Sequence, residues 1–268
     1  MGDRRAGRPG RSLGLPHRRQ PRGGRPPGAR GGAIAAPRPI LIHGSGGDHR
    51  VWGLQTARIG GAVAVDLPGH PDGNALDRVE SLGGALAPAV ASVDGPRVLV
   101  GHSLGGVVAL QIARIRPDLV DGLVLIASGA RLPVPAPIME RARADPAAER
   151  RRLMEAFLAD GDRPIAAEAR AALEACADET LAADYAACAA ADLRGRLADL
   201  RAPALVVAGG EDRLTPPWLS EELARELPMA QMVLIPGARH MVMADADGTV
   251  NLLIAAFLAR LELTLAGL

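Results

Sequence analysis

Lysine is absent from this chain of 268 residues, and aromatic side chains make up only 2% of it. All 31 basic residues are therefore arginine, and a hydrophobic content of 48% has to build its core from Ala, Val, Leu and Ile. With so few rings, no arginine-rich stripe with interleaved aromatics appears in the body of the chain, which gives nucleic-acid binding no support. Cysteine occurs twice, at Cys176 and Cys188. On one continuous helix the two would sit about 18 Å apart, beyond disulfide reach. Two isolated thiols fit a reducing compartment or indifference to redox state, and a cytoplasmic location is expected. No apolar run attains the roughly 18–20 residues of a membrane span. The C-terminal stretch from Leu252 to Leu268 is broken by Arg260 and Glu262 and reads as an amphipathic helix. The histidines do not fall at the H-E-x-x-H spacing of a zinc site, and neither a metal nor a cofactor is expected.

The net charge of +1 conceals an asymmetry. Residues 1–38 carry ten arginines against one acid, Asp3, whereas the remainder sums to −8. Residues 1–36 are Arg, Gly and Pro without apolar periodicity, and no apolar segment follows the Arg18–Arg19 pair. They are expected to be a disordered leader, or noncoding sequence read from a misassigned start, rather than a targeting signal.

From residue 37 the pattern changes. Short apolar runs at 39–43, 62–66, 97–102, 122–127, 204–208 and 232–235 alternate with helical stretches. Such alternation predicts an α/β fold with a mostly parallel central sheet of about six core strands, helices on both faces. Val108, Ile112 and Ile115 recur at helical spacing before Pro117, and Val250, Leu253, Ile254, Phe257, Leu258 and Leu261 form one helical face. Between about 130 and 198 no strand is legible, only Ala, Arg, Glu and Leu at helical spacing. So long a helical insertion is not an ordinary crossover and reads as a cap over the strand ends.

Gly101-His102-Ser103-Leu104-Gly105-Gly106 matches G-x-S-x-G, after an apolar run and before a helical one. In that context Ser103 occupies a tight strand-to-helix turn, where side chains at 101 and 105 would collide. A serine hydroxyl needs a base, and the base a carboxylate, in the chain order Ser, Asp, His. Asp212 follows the run ending at Ala208, with Glu211 as an adjacent alternative, and His240 follows the run ending at Ile235. All fall at the same edge of the sheet. His102 is expected to be a spacer, and His49 and His70 to be structural.

Two backbone N–H groups are needed for an oxyanion. Leu104 supplies one by its place after Ser103. The loop His43-Gly44-Ser45-Gly46-Gly47 supplies the other, with Ser45 preferred and Gly44 or Gly46 close alternatives; the loop fits no phosphate-binding pattern. Trp52, Met139, Phe157, Tyr185, Trp218, Met241 and Val242 are candidate walls of a mainly aliphatic substrate pocket.

On His43-Gly44, Asp66-Leu67-Pro68-Gly69-His70, the 101–106 elbow, the Asp212 loop and His240, the stretch from about 38 to 262 resembles the capped α/β-hydrolase superfamily. That superfamily includes esterases, enol-lactonases, C–C bond hydrolases and cofactor-free haloperoxidases. The resemblance favours Asp212 over Glu211 as the acid, and Ser103 separates the chain from branches whose nucleophile is Asp. It departs from the usual pattern in lacking two strands ahead of the first run, and in having Pro71-Asp72-Gly73 where Gly-x-Ser is commoner. The implied activity is hydrolysis of a small ester or lactone through an acyl-enzyme, without a cofactor. Acyl transfer, C–C bond hydrolysis and perhydrolysis on the same residues remain open, as does a non-catalytic ligand receptor.

Overall fold

The computed structural model describes residues 35–157 and 164–268. The leader expected over 1–36 falls almost wholly outside these residues. The strands are β1 (Arg38–Ile42), β2 (Val63–Val65), β3 (Arg97–His102), β4 (Gly122–Ile126), β5 (Ala204–Gly209) and β6 (Ala230–Ile235), and every expected run forms one of them. They pair in parallel in the order β2-β1-β3-β4-β5-β6. In the register Ile42 lies opposite Gly101, and His102 opposite Ile126. The carboxyl ends of β1, β3 and β4 therefore meet along one edge.

Ten helices are described: α1 (Gly53–Thr56), α2 (Val79–Ala91), α3 (Leu104–Ile115), α4 (Ala136–Ala144), α5 (Pro146–Phe157), α6 (Pro164–Ala175), α7 (Asp178–Ala190), α8 (Pro217–Glu226), α9 (Val242–Asp245) and α10 (Asp247–Ala266). Strand side chains alternate between two cores. Ile40, Ile42, Leu99, Leu123 and Leu125 face α2, α3 and α8. Leu41, Val98, Val100, Val124 and Ile126 face Trp52, α9 and α10. Because both faces are covered, the central strands read as unbroken apolar runs.

α10 is the amphipathic helix expected of the C-terminal stretch, and it starts earlier, at Asp247. It is a 20-residue helix with mean hydropathy 1.6, long and apolar enough by length and composition to cross a membrane. Its Val250, Ile254, Phe257 and Leu261 are buried against the sheet in the second core, so this face behaves as a core helix.

Helices α4 to α7 occupy the interval between β4 and β5. An antiparallel bridge between Arg131 and Asp192, with Leu193 N–H donating to the Ala130 carbonyl at 2.8 Å, joins the two ends of this excursion. Its helices share a small core of their own, with Ala142, Leu153, Leu173, Leu181 and Tyr185 buried together. Cys176 and Cys188 do not share a helix, since the chain turns between α6 and α7. Both thiols are free and buried, and burial pushes each up to about 12.

Candidate active site

Ser103 links β3 to α3 at φ 52° and ψ −118°, a left-handed conformation that costs a non-glycine residue about 1–3 kcal/mol. Neighbouring groups hold it there. Ser103 N–H donates to the Ile126 carbonyl at 3.0 Å, and its own carbonyl accepts from Gly106 N–H at 3.0 Å and Ser128 Oγ–H at 2.8 Å. A Cβ at Gly101 would run into the backbone of Gly105 and Gly106, and one at Gly105 into the Ile42 and His43 carbonyls. The two motif glycines are thus required by close backbone approach. Leu104 opens α3, where the first N–H groups have no intrahelical acceptor.

Asp212 and His240 leave the carboxyl ends of β5 and β6 and meet beside the elbow. His240 Nδ1–H donates to Asp212 Oδ2 at 2.8 Å, and Asp212 is 4% exposed. The other carboxylate oxygen accepts from Leu214 N–H at 2.8 Å and Thr215 N–H at 2.9 Å. Burial alone would raise the Asp212 carboxyl. The charge and hydrogen bond of His240, with the bonds from Thr215, outweigh it and hold the carboxyl below its ordinary range. Glu211 faces solvent instead, its N–H tied to the Ala238 carbonyl at 2.9 Å.

In the loop after β1, the candidate donors separate. Gly46 N–H is engaged by Asp184 Oδ2 at 2.7 Å, and Gly47 N–H by the Gly44 carbonyl at 3.1 Å. Ser45 lines the same cavity as Ser103 and His240. That cavity has a volume of about 470 Å³, within the range of small-molecule sites.

The profile of the Alpha/beta hydrolase family matches residues 40–252. The chain belongs to that family. It is 32% identical over 222 residues to a pimeloyl-[acyl-carrier protein] methyl ester esterase of Neisseria meningitidis, covering 75% of this chain and 84% of that protein. A thermophilic esterase of known structure superposes with a TM-score of 0.75 at 32% identity, over 84% of this chain and 90% of the other. An enol-lactonase from Burkholderia xenovorans LB400, at 23% identity and TM-score 0.75 over 87% and 94% of the two chains, shares the fold.

This hydrolase distributes the remaining sequence candidates unevenly. Tyr185 and Trp218 line the cavity, together with Leu132, Val134, Ile138 and Leu153. Trp52 does not, being fully buried in the core beneath the sheet, and Val242 is buried there too. Met241 is buried beside Gly44 and His102 in a separate small void, and Met139 packs half-buried against the core of the inserted helices. The Phe157 side chain lies outside the described residues. His49 pairs with Asp66 at 2.9 Å at the surface. Donor atoms of Asp48, His49 and Asp66 cluster within 4.8 Å, but Arg50 already pairs with Asp48 and none of the three lines the Ser103 cavity.

Thr215 and Ser128 were not foreseen. Thr215 Oγ1 lies 2.7 Å from Asp212 Oδ2, 2.9 Å from the Ala127 carbonyl and 3.0 Å from His240 Nδ1. Its hydroxyl proton serves one of the two oxygens while its own oxygen faces the imidazole, so it braces the Asp212–His240 pair. The signal was available, because a threonine three residues after an aspartate in a Gly- and Pro-rich loop is a local turn former. Ser128 had no such signal; only the pairing of β3 with β4 brings it under the elbow.

His102 and His43, both fully enclosed, are neutral. His102 donates through Nε2–H to the His240 carbonyl at 3.0 Å, and burial together with nearby His240 lowers it to about 3. Burial and neighbouring His70 lower His43 to about 4. The unfolded chain protonates both near pH 6.5, so the stability they contribute is full above that pH and falls as pH drops towards 4. Each loses about 1.4 kcal/mol per pH unit in that window. His70 works in the opposite sense and only above pH 6.5, since the Asp184 bond and charge outweigh its burial and raise it. Urea unfolding should therefore give a stability lower by roughly 2–4 kcal/mol at pH 5.0 than at pH 6.5. Equal stabilities would mean that these histidines take up protons without unfolding.

Proposed function

We propose that this hydrolase cleaves a carboxylic ester or lactone through an acyl-enzyme on Ser103. The observation that carries the reading is that Ser103, on its strained turn, and His240, anchored to Asp212, line one cavity. His240 Nε2 takes the Ser103 proton as Oγ bonds to the ester carbonyl carbon. Asp212 keeps the imidazole in the tautomer with Nδ1–H and stabilises the imidazolium. The tetrahedral oxyanion is received by the N–H groups of Leu104 and Ser45. Its collapse breaks the acyl–oxygen bond, and His240 returns the proton to the leaving alkoxide. Water then attacks the acyl carbon by the same route and frees Ser103.

The helices from about 130 to 198 act in this reading as a cap that supplies the acyl wall through Leu132, Val134, Ile138, Leu153 and Tyr185. A mostly apolar wall selects apolar acyl chains, although Arg141, Glu149, Arg152 and Arg213 also line the cavity. The buried free thiols agree with a cytoplasmic setting. With p-nitrophenyl esters, kcat/KM is expected to rise about two- to fourfold per added methylene from acetate to hexanoate, since each buried methylene contributes about 0.8 kcal/mol. A profile flat in chain length would remove the acyl-pocket assignment, and failure of a fluorophosphonate to label the protein would remove the serine-hydrolase reading.

A further inference from the structure

We propose that Asp184, on α7 of the inserted segment, is a positioning residue for the oxyanion hole. The proposal rests on the assignment of Ser45 N–H as an oxyanion donor, and concerns what aims that group. A trans peptide plane points its N–H opposite to its C=O. The plane that carries Ser45 N–H carries the Gly44 carbonyl on its other edge. That carbonyl accepts from His43 Nδ1 at 2.8 Å and from Gly47 N–H at 3.1 Å. His43 can serve as this donor because its Nε2 accepts from Leu67 N–H at 2.9 Å, which leaves the proton on Nδ1.

The next peptide plane carries Gly46 N–H, and Asp184 Oδ2 holds it at 2.7 Å. The same oxygen lies 2.9 Å from His70 Nε2, and the His70 ring stands edge-on to His43 with centroids 4.7 Å apart. One carboxylate thus fixes the plane after Ser45 directly, and through His70 it packs the histidine that fixes the plane before it. The side chains of Asp184 and His70 are each 1% exposed, so water does not compete for these bonds. The loop also needs an outside anchor, because Gly46 sits at φ 68°, a conformation that glycine leaves readily.

α7 is well placed to act as that anchor. Its approach is tied to the loop after β2, where Ala177 N–H donates to the Pro71 carbonyl at 2.8 Å. Tyr185 and Cys188, on the same helix, line the substrate cavity. The segment that shapes the acyl site therefore also holds the donor that receives the oxyanion. A side chain that merely stabilised the fold would lack this link to the transition state.

The test uses Asp184→Ala and Asp184→Asn in the full chain, with p-nitrophenyl butyrate as substrate and active sites counted by fluorophosphonate titration. The inhibition constant of an alkyl boronic acid, whose serine adduct is tetrahedral and anionic, is measured alongside. Deleting one oxyanion donor costs about 10²–10³ in kcat, and mis-aiming it should cost less. Asp184→Ala is expected to lower kcat per titrated site by about 10- to 100-fold, with KM changed less than about threefold. Boronic acid affinity should weaken in step with kcat/KM. Asp184→Asn keeps an acceptor without the charge and should recover most of the loss, ending about three- to tenfold below wild type.

An unchanged kcat per titrated site in the alanine variant, a loss confined to KM, or an unchanged boronic acid affinity would each overturn the proposal. If the alanine variant does not fold, the asparagine variant decides, and a wild-type kcat there overturns it. Failure of the esterase reading itself shows separately, as absence of labelling in the wild type.

Discussion

Ser103→Ala is expected to abolish ester turnover and fluorophosphonate labelling together, with the melting temperature within a few degrees of wild type. The loss should be on the order of 10⁵–10⁶-fold in kcat, the scale seen when a triad nucleophile is removed. Whatever remains comes from donors that polarise a bound carbonyl for attack by water. The fold should survive because alanine keeps the Cβ that packs against the loop after β1 and leaves the Ser103 backbone bonds to Ile126, Gly106 and Ser128 in place. Labelling of another residue in the variant, or turnover above about 1% of wild type, would assign the nucleophile elsewhere.

Asp212→Asn should cost about 10⁴-fold in kcat, whereas Glu211→Gln should cost less than about threefold. The reason is tautomeric. Asp212 Oδ2 accepts the Nδ1–H of His240, which leaves Nε2 free of its proton and able to act as base. An amide in its place can turn its NH₂ towards the ring and favour the proton on Nε2, a change worth about 10⁴ in serine proteases. Thr215 reinforces the difference, because its N–H and Oγ1 bind the two oxygens of this carboxylate. Glu211 faces solvent and has no part in the pair. Measured kcat for both variants, per titrated site, checks the assignment. If Glu211→Gln is the more damaging change, the acid is Glu211, and the geometry at Asp212 is structural.

Much of the framework was legible from the chain alone. The central strands β1, β3, β4 and β5 are buried on both faces, so each stands out as a short apolar run that ends in a polar or Gly-rich turn. The 101–106 elbow was legible because it follows an apolar run and precedes a helical one, with Gly101 and Gly105 demanded by backbone atoms at the turn and on the adjoining strand. The helical stretch between β4 and β5 showed itself by what it lacked, a strand. The C-terminal helix was legible as an amphipathic one, since Arg260 and Glu262 lie on its solvent side while Phe257 and Leu261 pack inward.

The candidate pocket was read poorly. Trp52 and Met241 are large and apolar, but size does not tell which side of a loop a side chain takes, and both turned into buried packing. Tyr185 and Trp218 line the cavity for reasons equally invisible in the sequence.

The sequence by itself determined the class of fold, the order of its six strands along the chain and the residues offered for nucleophile, base and acid. These depend on local pattern, on periodicity and on short motifs placed directly after apolar runs. The tertiary structure alone decided that Gly46 N–H is taken while Ser45 lines the cavity, and that Asp184 reaches across from α7 to the loop after β1. Those contacts join residues as far as 138 positions apart, and their directions depend on how the helices settle on the sheet, which no local pattern encodes.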